Sequence, residues 1–424
     1  MSSEDLHDSS IRQDDCPVAY SFEMEFLVAQ ELPGFNYEDA SDNFKDVFVK
    51  YPWVCPVGET DPYTAILDEC KDILMKAGQS VAVCEDPSAR ETSTVYFFQK
   101  FGARLQGLEY WLLEPSATAY AKRYSPQTHE WFGVRLRSPF YQEAELHNKN
   151  SMVKWVLAAV RAGLSIHVNS TCRFNVHIKP LIAPFSLLAA KKLTTLVWVL
   201  EKELLKRVAP NSHGLSFPHV RSLETCSRIS SLVWHGSGGR SRPEDPLRAA
   251  IMEHHLPDLH NKDLLARLQF VWETSSLAEL ANGLVGTNGE PTSFAIRLPG
   301  ATLDGPTFEF RYALWHPYSK LDVSNYWIEL SMCLVKATAR STDKFKQYIT
   351  QLDQLIQGFS INNMPPTDRW KTLLSTLEFT EEWSAPWEKI IEQYKNGRQL
   401  APQWINKQLF LGLIEEHKVW KRKI

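Results

Sequence analysis

Four short segments of this chain alternate apolar with charged or polar residues at a period of two. They are Phe22-Glu23-Met24-Glu25-Phe26, Val134-Arg135-Leu136-Arg137, Phe174-Asn175-Val176-His177-Ile178 and Phe308-Glu309-Phe310-Arg311-Tyr312. Side chains of a strand point alternately to opposite faces, so each segment is predicted to be a strand with one apolar and one polar face. The polar faces together carry three carboxylates, three guanidiniums, an amide and an imidazole. One such strand is ordinarily a solvated sheet face. Four of them point to a single charged face. Burying paired carboxylates without a counter-charge costs roughly several kcal/mol, so a shared cavity demands cations. Mg2+ suits it, as a hard ion that prefers carboxylate oxygen and keeps waters for phosphates.

At 424 residues the chain is long enough for two or three domains, or for one large domain with decorations. A hydrophobic share of 44% with 23% charged residues excludes a wholly disordered chain or a fibrous repeat. The net charge of −4 removes the basic footprint of a nucleic-acid binder. The most apolar run, 187–204, is broken by Lys191, Lys192, Glu201 and Glu203 and falls short of a membrane span. Neither a nucleic acid nor a membrane is therefore expected as a partner. The opening residues have no basic start and no apolar core, unlike a signal peptide. The seven scattered cysteines form no CxxC pair, so reduced thiols and a cytoplasmic location are expected, without structural zinc.

Three regions are expected: an acidic disordered leader over 1–16, a main domain over 17–340, and a helical extension over 341–424. Within the main domain, strands are predicted over 20–29, 81–85, 95–98, 108–113, 131–138, 166–178, 294–298 and 308–313. Helices are predicted over 62–78, 151–162, 187–208 and 323–338. Residues 211–262 lose periodicity, and the turn-rich HGSGGRSRPEDP marks a loop-rich insertion. The extension reads as helices over 345–356, 370–377, 387–394 and 407–420, which offer a surface for a homo-oligomer or another partner.

Several segments resemble the fungal-type amidoligase branch of the glutamine synthetase-like carboxylate–amine ligases. FEMEFLV is similar to that family's opening acidic strand, and WLLEPSA to its tryptophan with an acid-x-serine turn, here Glu114 and Ser116. WFGVRLRSP resembles its G-V-E-x-x-S-P strand, STCRFNVHI its S-C-G-x-H-V-H strand, and FEFR with the following LD and Trp327 its E-F-R segment. The likeness spans about residues 20–337 and rests on the order of the motifs. It implies an α+β fold, a curved antiparallel sheet forming an active-site funnel backed by helices. It implies a ligase that uses ATP and Mg2+ to phosphorylate a small-molecule carboxylate, which an amine then attacks. By the family's roles Glu23, Glu25 and Glu309 would hold metal, and Asn175, at a ligand position, would offer an amide oxygen more weakly. Arg311 would steady the phosphoryl group in transfer, and His177 and Arg137 would touch the nucleotide phosphates.

Two positions depart from the family pattern. Arg135 stands where a glutamate is expected, and Asn175 where a histidine is expected. A guanidinium cannot ligate a cation. Arg135 therefore either replaces one metal with a fixed charge that serves phosphate or substrate carboxylate, or marks a site that has lost catalysis. The alternative function is a non-catalytic small-molecule or nucleotide-binding protein on the same fold. A third is an interaction scaffold acting through 341–424. The histidines at 254, 255 and 260 are read as a solvated loop, HGSGGR as a mobile lid, and Cys172 as a structural thiol.

Overall fold

The computed structural model describes residues 17–34, 52–84, 110–122, 125–148, 151–182, 184–209, 220–235, 246–298, 306–313, 315, 323–379, 385, 387–389 and 391. The expected leader, the strand over 95–98, residues 236–240 of HGSGGR and the helix over 407–420 lie outside them. The chain is α+β. Its strands are β1 (Val18–Glu31), β2 (Ser80–Val83), β3 (Tyr110–Pro115), β4 (His129–Arg137), β5 (Tyr141–Gln142), β6 (Ile166–His167), β7 (Phe174–Pro180), β8 (Phe294–Arg297) and β9 (Thr307–Ala313). They form one mixed sheet in the order β2-β3-β4-β1-β7-β9-β8, with β5 and β6 also paired to β1. All pairings are antiparallel except β2 with β3.

The four alternating segments are the four adjacent central strands β4, β1, β7 and β9. Their apolar faces make the core. Phe22 meets Trp111 edge-on at 5.7 Å and stacks on Phe174 at 5.3 Å, while Phe26 meets Trp315 at 5.7 Å. The opposite face is buried as well: every residue of β1 from Val18 to Gln30 is buried. The polar alternation is thus not a solvated surface.

The helix Pro62–Lys76 begins where Asp61 accepts hydrogen bonds from the Thr64 N–H and hydroxyl. It buries Ile66, Leu67, Cys70, Ile73 and Leu74, and Gly78 stops the chain at φ 79°. The helix Met152–Gly163 buries the predicted face of Val153, Val156, Leu157 and Val160. The apolar run near residue 190 is a core helix, Leu187–Leu200, buried from Ala190 onward. It packs against helices Lys262–Glu273, Val323–Ala337 and Thr342–Ile361. Among the described residues no helix is long and apolar enough to cross a membrane.

Two expectations change. The strand over 166–178 is split, because the Asn169 side chain accepts from the Thr171 N–H and turns the chain between β6 and β7. The region over 211–262 is partly helical, with Leu223–Cys226, Arg228–His235 and Pro246–His255. Glu201, in a π-helical turn at Glu201–Leu205, accepts from the N–H groups of Leu223 and Glu224 and so caps the first of these. Beyond residue 341, Phe345, Ile349, Leu352, Trp370 and Leu373 join the same core as the sheet, so the described part of the extension packs as part of the main body.

Candidate metal and anion centre

Strand register gathers the polar residues. Glu23 lies opposite Arg137 and Glu25 opposite Arg135 across β1 and β4. Glu23 also faces Asn175 across β1 and β7. His177 faces Glu309 across β7 and β9, and Glu114 faces Arg135 across β3 and β4. Between Val176 and Phe174 the β7–β9 register shifts, so that Arg311 and Tyr312 together oppose the single residue Asn175. Such a bulge re-aims side chains. Glu23, Glu25, Asn175, His177, Glu309 and Arg311 are all buried.

The centre has two halves. In one, Glu25 Oε1 accepts from Arg135 Nε at 3.0 Å and Nη2 at 2.7 Å, from the Ser116 hydroxyl at 2.9 Å and from the Thr118 hydroxyl at 2.7 Å. Arg135 Nη1 donates to Glu114 at 2.7 Å. Gly133 makes this packing possible. A Cβ there would stand 2.2 Å from the carbonyl oxygens of Ser116 and Ala119, so only glycine admits the turn that delivers Ser116 and Thr118 to Glu25.

In the other half, Glu23, His177 and Glu309 bring one ligand atom each to within 4.8 Å of one another, and all three are buried. His177 Nε2 is 3.6 Å from Glu23 Oε1 and 3.9 Å from Glu309 Oε1. Neighbouring donors around a tetrahedral ion stand about 3.4 Å apart, so these two gaps are a few tenths of an ångström wider than a tetrahedral cation requires. Burial lowers the His177 pKa, and the pull of Glu309 and Glu23 only partly offsets it. The imidazole is therefore a neutral, ligand-competent base. Burial alone would raise both carboxyls. Arg137 above all holds Glu23 well below the usual carboxylate range, and chiefly Arg311 and Arg297 bring Glu309 to about 2. Two ionised carboxylates and a neutral imidazole thus converge. His177 Nε2, Glu309 Oε1 and Asn175 Oδ1 are buried and have no hydrogen-bond partner in the protein. Buried polar atoms without a partner are costly, and a metal ion held by Glu23, His177 and Glu309 would satisfy those of His177 and Glu309.

No family model, no curated protein and no solved structure matches this chain.

Of the residues predicted to hold metal, Glu23 and Glu309 meet, and His177, expected on phosphate, joins them. Asn175 stands beside Glu23 with its oxygen unsatisfied. Glu25 lies outside that group, bound to Arg135. Arg135, expected on a phosphate or a substrate carboxylate, has its Nε, Nη1 and Nη2 all donating to Glu25 or Glu114. Arg137 pairs with Glu23, and Arg311 Nη2 donates to Glu309 Oε2 at 2.8 Å. The counter-charges that the buried acids require are thus largely guanidiniums.

Sequence reasoning missed Arg297, whose Nε donates to Glu309 Oε2 at 2.5 Å, and Arg173, whose Nε is 3.6 Å from Glu25 Oε2. Arg297 ends a strand with no second charged residue to mark it, and only the pairing of Ala295 with Glu309 reveals its face. The histidines read as a loop have separate partners. His255 stacks on Trp272 at 4.9 Å, and His260 Nδ1 is 2.7 Å from Asp353. Cys172 is buried, which raises its thiol to about 12.

Proposed function

We propose that this chain is a carboxylate–amine ligase that uses ATP and a divalent cation to form an amide through an acyl phosphate. The observation that carries this reading is the buried Glu23–His177–Glu309 group with Arg311 beside it. Phosphoryl transfer needs charge neutralisation and positioning more than covalent help from the protein. A cation in this group would draw the phosphate oxygens together and polarise them. Arg311, fixed on Glu309, supplies a second positive charge beside the transferring group. Neutral His177 completes the ligand set without adding charge. Mg2+ is the ion implied by the family likeness, but an imidazole among the ligands suits Mn2+ or Zn2+ as well.

One observation favours the alternative, a nucleotide- or small-molecule-binding protein without turnover. Glu25 and Glu114 are already ion-paired with Arg135, which leaves one cation position where the family pattern implies more acidic ligands. Thermal shift with a non-hydrolysable ATP analogue, with and without Mg2+ or Mn2+, tests the shared part of both readings. Analogue and metal together should stabilise the chain, and His177→Gln should remove the effect without lowering the stability of the metal-free protein. Metal-independent binding in wild type would overturn the centre proposed here. ADP release from ATP in pools of carboxylic acids and amines then separates enzyme from binder.

A further inference from the structure

The guanidiniums of the centre fall into two classes. Arg135 and Arg311 have side chains 12% and 5% exposed and are locked in place. Arg137 and Arg297, at 49% and 56%, sit at the rim. Each rim arginine pairs with a carboxylate of the metal group, Arg137 with Glu23 and Arg297 with Glu309. A cation entering that group must compete with both. Charge count adds a second constraint. Among the described residues, five guanidiniums (Arg135, Arg137, Arg173, Arg297, Arg311) are ion-paired with four carboxylates (Glu23, Glu25, Glu114, Glu309). That is a surplus of one positive charge, and a divalent cation would raise it to three. Arg311 Nε is also buried with no acceptor in the protein.

We infer that Arg137 and Arg297 are partner-exchange residues: they hold Glu23 and Glu309 in the metal-free protein and turn onto an anion when a cation takes those carboxylates. The ligand of the centre is then a metal-chelated polyanion of phosphate type, and cation and anion bind as a pair. This deepens the proposed function and rests on its cation site. Physically, the cation frees two half-exposed, bidentate donors, and the anion offsets the charge the cation brings. By linkage, whatever the anion does for cation affinity the cation does for anion affinity. Arg135, held on two carboxylates and screened from the mouth, takes no part.

The test is Mn2+ binding to the full chain, followed by the electron spin resonance of free Mn2+. It is run at constant ionic strength in chloride and with sulfate as a tetrahedral dianion, each corrected by a protein-free titration. In wild type, sulfate should tighten Mn2+ binding. Without sulfate, Arg297→Ala and Arg137→Ala should each bind Mn2+ more tightly than wild type, by up to about fivefold for a half-exposed ion pair, because a competitor is gone. The same variants should lose the sulfate effect, and Arg297→Lys should keep part of it. A merely structural role predicts the reverse, weaker Mn2+ binding in the alanine variants. That result, or wild-type affinity indifferent to sulfate, would overturn the exchange while leaving the cation site standing. No Mn2+ binding by any form would remove the site itself, and the proposed function with it.

Discussion

Glu309→Gln is the variant that most directly tests how this centre is balanced. Glu309 is fully buried, and its Oε2 accepts from Arg311 Nη2 at 2.8 Å and from Arg297 Nε at 2.5 Å. The amide is nearly isosteric but neutral, so it leaves Arg311 buried without its counter-ion. Two routes give the cost. Holding the carboxyl at about 2 rather than its ordinary 4.5 is equivalent to about 3 kcal/mol in favour of the folded chain. Breaking a buried ion pair from one side costs about 3–5 kcal/mol. The variant should therefore lose about 3 kcal/mol at pH 7. The sign against pH follows from a depressed carboxyl. The stabilisation is complete above the unfolded value of 4.5 and is lost as pH falls toward 2. Wild type should thus lose about 1 kcal/mol of it by pH 3.5, and the gap to the variant should narrow by that amount. Urea unfolding in chelator-treated buffer at pH 7 and pH 3.5 reads both numbers. A variant within 1 kcal/mol of wild type at pH 7 would show that Glu309 is not the counter-ion of Arg311.

Two other perturbations probe what surrounds the centre. Gly133→Ala should cost roughly 1–3 kcal/mol, because backbone oxygens stand where the methyl would go; wild-type stability in thermal unfolding would refute the close approach. His167, 3.1 Å from the Ser125 hydroxyl, is brought by burial to a pKa of about 4. The unfolded chain binds its proton first on acidification, so stability should fall by about 2 kcal/mol between pH 7 and pH 5, and His167→Asn should lose that slope in urea titrations.

The four charged strands were legible because a period of two is a local property. Alternation at 22–26 or 308–312 assigns each side chain to a face whatever the rest of the chain does. The helices 62–76 and 152–163 were legible for the same reason. The break at Asn169 was missed because a side-chain-to-backbone turn carries no periodicity. The helical content of 211–262 was missed where short helices lean on distant groups. Glu201, which caps Leu223–Cys226, lies some 20 residues away in sequence.

Within the centre, local pattern determined which residues share a face: Glu23 with Glu25, Arg135 with Arg137, Glu309 with Arg311. It could not determine who neutralises whom, because ion pairs across strands depend on register, and register is set by the packing of the whole sheet. Tertiary structure alone decided that Arg135 is occupied by Glu25 and Glu114 and that His177 rather than Glu25 completes the group with Glu23 and Glu309. It alone brought Arg297, a lone charge at the end of β8, onto Glu309. Electrostatic energy follows distances of a few ångströms, and residues as far apart as 23 and 309 acquire such distances only once the sheet has formed.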